Sequence, residues 1–285
     1  MTNSDEKNKL ITLKLSKWSD VYAISDLLKT RIFRGQKEES WGLTTSLERV
    51  LKNDLTMYKD VEERILTEFK RAAHLYLDRL PQAEDWIEWL SLIQHYDGLT
   101  RLLDFSKSLF IALFFALEQD TSNNSSIWAI NGYTVLTKLR NYGYMADEKY
   151  FNYDQNGKFF NDSFRKSYNK YSVGFARPFR FNERLINQQG TFLFPLNLNY
   201  SFEENLFGML NVDQNDVKNL VFNDNDDLIN DELIRAPIIK IIIENKFRHE
   251  GFNNLLKMNI NHRTMYPGLA GYTKSSTYNA LELIK

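Results

Sequence analysis

Nine consecutive apolar residues, Leu109–Leu117 in "LFIALFFAL", constrain this chain more than any other feature. A helix that is apolar all round has to be buried all round, so the run reads as the most deeply buried helix of the protein. It falls well short of the roughly 18 residues a membrane-spanning helix needs, and no other apolar run approaches that length. Yet the stretch just before it, "QHYDGLTRLLDFSKS", holds the chain's densest set of hydrogen-bonding groups: Gln94, His95, Asp97, Thr100, Arg101, Asp104 and Ser106. Polar groups beside a core are tolerated only when satisfied. The junction therefore reads either as a structural network that pins a loop or as the wall of a polar pocket.

The rest of the chain supplies enough material to cover such a helix. Its 285 residues are 43% apolar and include 20 phenylalanines, sufficient for one large domain or two small ones. The formal net charge of -1 argues against attraction of the whole chain to nucleic acid or an anionic membrane. There is no cysteine, which excludes disulfides, thiolate metal sites and cysteine nucleophiles. "MTNSDEKNKL" lacks the apolar centre of a signal peptide, so a soluble, cytoplasmic protein is the expectation, with no membrane partner.

Patterning predicts an α+β fold: a single large domain with small mixed or antiparallel sheets flanked by helices. Strands are expected at 10–15, 125–131, 190–196 and 238–244. Helices are expected at 19–29, 57–77, 84–96, 134–140 and 253–259, and near 275–284. Along 57–77, Val61, Ile65, Phe69, Ala73 and Tyr76 share one face. "VDQNDVKNLV" (212–221) reads as a short helix. Residues 1–18 form an N-terminal extension and first strand, and 19–285 the domain proper, with an irregular insertion at about 141–180 that is rich in Tyr, Asn, Lys and Phe. No internal repeat is visible.

A helix beginning near Lys107 would be capped by Asp104 or Ser106, and its N-terminus would favour an anion. Thr100, Arg101 and Asp104 together suggest an ordered ion pair or hydrogen-bond network. Arg34–Gly35 reads in two ways: a turn glycine beside a surface arginine, or a place where a ligand approaches the backbone closely. His95, at a helix end beside Tyr96, reads as structural on local grounds. The four histidines lack metal-ligand spacing, the Asp-rich stretches lack the glycine and glutamate of a calcium loop, and no metal is expected. GxGxxG, P-loop and GxSxG signatures are absent.

From Ser163 to Arg184 six basic residues face one acid, Glu183, and alternate with six aromatic rings. That pattern suits single-stranded nucleic acid or a protein partner. From Glu203 to Glu232 nine acids face one lysine, so the two segments read equally as solvated faces that neutralise one another.

Five segments in order, "FRGQ" (33–36), "WGLTTSLER" (41–49), "QHYDGLTRLLDFSKSLFIALFFA" (94–116), "ERLINQQGTF" (183–192) and "INHRTMYPGLAG" (260–271), resemble the FRG domain, a family with a Phe/Tyr-Arg-Gly motif. Where that family tends to read His-Tyr-Gly-Leu-Pro-Thr-Arg, this chain has His95-Tyr96-Asp97-Gly98-Leu99-Thr100-Arg101. The glycine is displaced by one position and the proline is missing. The resemblance implies a prokaryotic or phage-related protein in a defence or toxin-like setting. A more distant resemblance is to ADP-ribosyltransferases of the Arg–Ser–Glu type. It implies that Arg34 grips the pyrophosphate of NAD, that Ser106 orders the nicotinamide ribose, and that Gln189 stands where an acid is expected. Either another acid then serves, with Glu183 and Glu244 as candidates, or the site binds without turning over. Gly35, His95, Thr100, Arg101 and Asp104 would bind the nucleotide-type ligand. The alternative is a non-catalytic binding module, or a sensor, using residues 163–184 to recognise nucleic acid or a protein.

Overall fold

The computed structural model describes residues 7–52, 54–119, 121–144, 166, 168–178, 182–222 and 226–282. Eight strands among them form one mixed sheet: β1 (Asn8–Leu15), β2 (Ile32–Gln36), β3 (Leu103–Ser106), β4 (Ser125–Ile130), β5 (Val173–Ala176), β6 (Gly190–Pro195), β7 (Val212–Val221) and β8 (Ile238–Ile243). Their order is β5-β6-β3-β2-β4-β8-β1-β7. β1 runs parallel to both β7 and β8, and every other pair is antiparallel.

The sheet is close to being two. β2 pairs with β4 along its whole length, from Ile32↔Ile130 to Gln36↔Ser126, but meets β3 only at Phe33↔Ser106. A three-stranded antiparallel unit (β5, β6, β3) is thus hinged at one residue pair onto a five-stranded mixed unit. Beyond that pair β2 and β3 part company, and the backbone leaves a fork. The expected small sheets are present, joined at this pair.

Helices cover both faces. In chain order they are α1 (Trp18–Leu27), α2 (Ser46–Leu51), α3 (Tyr58–Ala73), α4 (Trp86–His95), α5 (Leu109–Leu117), α6 (Gly132–Asn141), α7 (Glu183–Asn187), α8 (Phe202–Leu210), α9 (Asp227–Arg235), α10 (Arg248–Lys257), α11 (His262–Met265) and α12 (Leu269–Glu282). Because strand side chains alternate between faces, neighbouring residues serve different cores. Ile32, Trp128, Ile130 and Ile238 join the core that also holds Trp89, Phe194 and Phe202. Phe33, Ile127, Ala129, Ile239 and Ile241 join the core built around α5. Seven of the nine α5 residues are buried, as the unbroken apolar run requires.

Helix α5 crosses β2 backbone against backbone. A Cβ on Gly35 would overlap the Ala112 carbonyl oxygen and lie 2.8 Å from the Ala116 nitrogen. Gly35 and the i, i+4 alanines of α5 are therefore one close-packing device. The missing side chain makes room for a helix.

Four local expectations are corrected. Residues 212–221 are strand β7, not a helix: Asn211, in the left-handed region at φ 53°, ends α8, and β7 then pairs in parallel with β1 from Asn8↔Val212 onward. The buried helix begins at Leu109 rather than Lys107, with Ser108 as its N-cap, because Asp104 and Ser106 lie on strand β3. Tyr76 lies past the end of α3 and is 82% exposed, so it does not continue that helix's inner face. Within 141–180, Val173–Ala176 is fully buried strand, not irregular chain, and 145–165 lie outside the described residues.

Candidate functional site

The fork between β2 and β3 opens into a cavity of about 710 Å³, within the range of small-molecule sites. Each of the five sequence segments singled out above contributes to its wall. "FRGQ" brings Arg34 and Gly35, "WGLTTSLER" brings Trp41 and Arg49, and the 94–116 segment brings Asp104, Ser106 and Phe115. Arg184 and Gln188 come from the fourth segment and Tyr266 from the fifth. Residues more than 200 positions apart in the chain thus meet in one hollow.

Among the described residues four cations and two carboxylates face it: Arg34, Lys37, Arg49 and Arg184 against Asp104 and Glu118. Arg34 donates from Nη1 to the Asp104 carbonyl oxygen at 2.8 Å, while its buried Nε finds no hydrogen-bond partner among the described residues. Burial lowers its pKa; the Asp104 charge opposes that shift and Arg49 adds to it. Among the described residues the Arg49 guanidinium makes one hydrogen bond, to the Thr44 carbonyl oxygen at 2.8 Å. Arg184 lies over the Tyr266 ring at 5.3 Å. Three guanidinium groups with spare donors in one cavity suit a planar, multiply charged anion such as a phosphate.

The carboxylates are held differently. Asp104 is exposed to the cavity, and its Oδ2 accepts from Gln94 Nε2 at 2.8 Å. Gln94 Oε1 in turn accepts from the Thr100 hydroxyl. Glu118 directly follows α5, its side chain only 12% exposed. The Tyr266 hydroxyl lies 2.8 and 2.9 Å from its two oxygens. Burial raises the Glu118 pKa, while the Tyr266 hydrogen bond, Lys274 and Arg184 hold it down. Its backbone is fixed by Arg248, whose Nη1 donates to the carbonyl oxygens of Leu117 and Gln119 at 3.2 and 2.6 Å. His262 Nε2 stands 3.8 Å from the same carboxylate, but burial and Lys274 lower its pKa, which favours the neutral ring.

Not every residue singled out in the sequence reaches the cavity. Arg101 is 2% exposed and points the other way, where its Nε lies 2.8 and 2.7 Å from the Glu62 oxygens and its Nη2 also pairs with that carboxylate. The partner expected for it, Asp104, follows directly in the same segment, whereas Glu62 lies 39 residues away in the chain and only the fold brings it near. Thr100 is fully buried, its N–H donating to Ser46 Oγ at 2.9 Å and its carbonyl accepting from Leu47 N–H at 3.2 Å. His95 lies off the cavity wall; its buried Nδ1 has no hydrogen-bond partner among the described residues, and burial, then Arg184, lowers its pKa.

Ser106 does line the cavity, but its hydroxyl donates to the Gln188 carbonyl oxygen at 2.8 Å and accepts from Ser108 N–H at 3.0 Å. It fastens the wall. Gln189 sits in the left-handed region, φ 48°, with an exposed side chain and a carbonyl that accepts from Lys107 N–H. Its neighbour Gln188 faces the cavity instead, donating from Nε2 to the Met265 carbonyl oxygen at 2.8 Å. Neither Glu183 nor Glu244 lines the cavity; Glu183 is exposed on α7 and Glu244 pairs with Lys246 at 2.9 Å.

Sequence reasoning missed Glu118, Arg49 and Tyr266. A signal for Glu118 was present: it is the first charged residue after nine apolar ones, at a helix C-terminus, where the dipole disfavours an acid. Among the rings of 163–184, Tyr168 and Phe175 are packed in the core, Tyr171 is 41% exposed, and Phe164, Phe179 and Phe181 lie outside the described residues. Among the described residues no cluster of His, Asp and Glu could hold a metal ion, and no helix is long and apolar enough to cross a membrane.

Residues 29–125 of the chain match the family model of the FRG domain. No curated protein and no solved structure matches the chain.

Proposed function

We propose that this chain, which carries an FRG domain over residues 29–125, binds a phosphate-bearing nucleotide in the forked cavity and cleaves NAD there, as a glycohydrolase or an ADP-ribosyltransferase. The observation that carries the reading is the convergence of five separated segments on one hollow rich in arginine. Arg34, Arg49 and Arg184 take the phosphates. Their guanidinium forks match phosphate oxygens, and a half-buried site strengthens each bond.

Glu118 is the acid that the more distant resemblance requires and that Gln189 does not supply. An amide in its place would hydrogen-bond a sugar hydroxyl but could not balance positive charge developing on the ribose. In the proposed step the bond between ribose C1′ and the nicotinamide nitrogen breaks, and its electron pair neutralises the pyridinium ring. Water, or an acceptor nucleophile, adds to C1′; its proton passes to the Glu118 carboxylate and then to solvent. The products are nicotinamide, ADP-ribose (free or attached to the acceptor) and one proton. Such turnover depletes NAD, which gives the toxin-like or defence setting a chemical basis.

The test is release of nicotinamide from NAD by the purified protein, with and without protein or nucleic-acid acceptors. Release is expected from the wild type, about a hundredfold or more slowly from Glu118→Gln, and not from Arg34→Ala. Wild type and Arg34→Ala behaving alike would end the catalytic reading.

A further inference from the structure

Trp41 stands out among the five tryptophans. Trp89 and Trp128 are each 3% exposed, Trp18 and Trp86 are half-buried, and Trp41, on the cavity wall, is 46% exposed. A large apolar ring left half in water invites an account in terms of what covers it.

A loose loop does not explain the exposure. Gln36 Nε2 donates to the Gly42 carbonyl oxygen at 2.8 Å, and Leu43 N–H to Glu203 Oε1 at 3.1 Å. On the other side of the ring, Glu39 N–H donates to the Asn124 carbonyl oxygen at 2.8 Å, and Asn124 Nδ2 returns a bond to Glu39 Oε2 at 2.9 Å. The segment is tied down on both sides of Trp41. Gly42 belongs to the same arrangement: a Cβ there would come within 2.8 Å of Glu203 Oε2, so glycine lets the loop lie flat on that carboxylate.

One face of the indole has an occupant. Lys37 Nζ lies 5.4 Å from the ring centre while donating to Gln119 Oε1 at 2.8 Å, at the Glu118 end of the cavity. Among the described residues no other ring or cation contact to Trp41 is formed. An indole fixed by a pinned loop, backed by an ammonium group and edged by arginines is what stacking of an aromatic base beside its phosphates requires.

We propose that the exposed part of Trp41 is a stacking platform for the base of the nucleotide whose phosphates lie on the cavity arginines. The inference rests on the nucleotide reading above and sharpens it, because the site then selects ligands that carry both a phosphate and an aromatic ring. Sugar phosphates and inorganic pyrophosphate engage the arginines alone.

The experiment is calorimetric titration of inorganic pyrophosphate and of ADP into wild type, Trp41→Ala and Trp41→Phe, with melting curves for each. ADP is expected to bind wild type about tenfold more tightly than pyrophosphate. Trp41→Ala should abolish that advantage while leaving pyrophosphate affinity and melting temperature unchanged, and Trp41→Phe should keep most of it. An ADP advantage that is absent in wild type, or undiminished in Trp41→Ala, overturns the platform and leaves the arginine site standing. Failure of both ligands to bind wild type overturns both.

Discussion

Arg34 and Arg101 each sit beside the polar segments that flank α5, and the fold puts them to opposite uses. Arg101 belongs to a buried frame behind the cavity. It is paired with Glu62, which is 1% exposed, and lies over the Tyr58 ring. Tyr58 shares a hydrogen bond with Thr45 at 3.0 Å, and Thr45 forms a reciprocal capping box with Glu48. Glu48 also reaches Phe202 N–H at 2.6 Å, so one carboxylate serves the start of two helices. In this frame polar groups are closely matched. In the cavity, among the described residues, Arg34 keeps a buried N–H without a partner, and Arg49 and Arg184 have donors to spare. Matched polar groups fix a shape; unmatched ones held by that shape are available to a ligand.

The largest expected effect falls on the frame. Arg101→Ala or Glu62→Ala should cost about 3–5 kcal/mol in chemical denaturation, because each strands a buried charge. Arg34→Ala should cost no more than about 1 kcal/mol, the worth of one hydrogen bond. Equal losses at the two arginines would erase the contrast. Next comes Glu118→Gln, which should slow nicotinamide release by about a hundredfold or more while the denaturation midpoint stays near that of wild type. Gly35→Ala should cost about 1–3 kcal/mol by driving a methyl group into the α5 backbone; an unchanged midpoint would show that α5 does not sit on β2 as described.

The smallest effect is a displacement along the pH axis. Burial holds the Glu118 pKa above its ordinary value of 4.5, and its proposed role needs the carboxylate, so turnover falls as pH drops through that raised value. The Tyr266 hydrogen bond favours the charged form. Tyr266→Phe removes it and raises the pKa further, moving the acidic limb of the profile to higher pH, with His262, Lys274 and Arg184 still facing the carboxylate. A limb that stays in place would separate Tyr266 from Glu118 function.

What could be read from the sequence was set by local patterning. The apolar run of α5 and the strands at 125–130 and 238–243 declare themselves within a few residues. β7 did not, since its partner β1 lies some 200 residues away and its side chains are mostly exposed. The five motif segments all reach the wall of one cavity, but their sequence did not give the direction of each side chain. Gln188 and Gln189 are adjacent, and only the left-handed turn at Gln189 decides which faces the cavity. Arg101 could not be told from Arg34 without knowing that α3 delivers Glu62 to it. Glu118 and Tyr266 meet across 148 residues, a contact that no local pattern encodes.

Titration of ADP-ribose into wild type, Arg34→Ala and an Arg101→Met/Glu62→Leu double variant most directly tests the division between frame and cavity. Binding is expected in wild type and in the double variant, and at least about tenfold weaker in Arg34→Ala, whose melting curve remains that of a folded protein. Equal affinity in wild type and Arg34→Ala, or no binding to wild type, would contradict it.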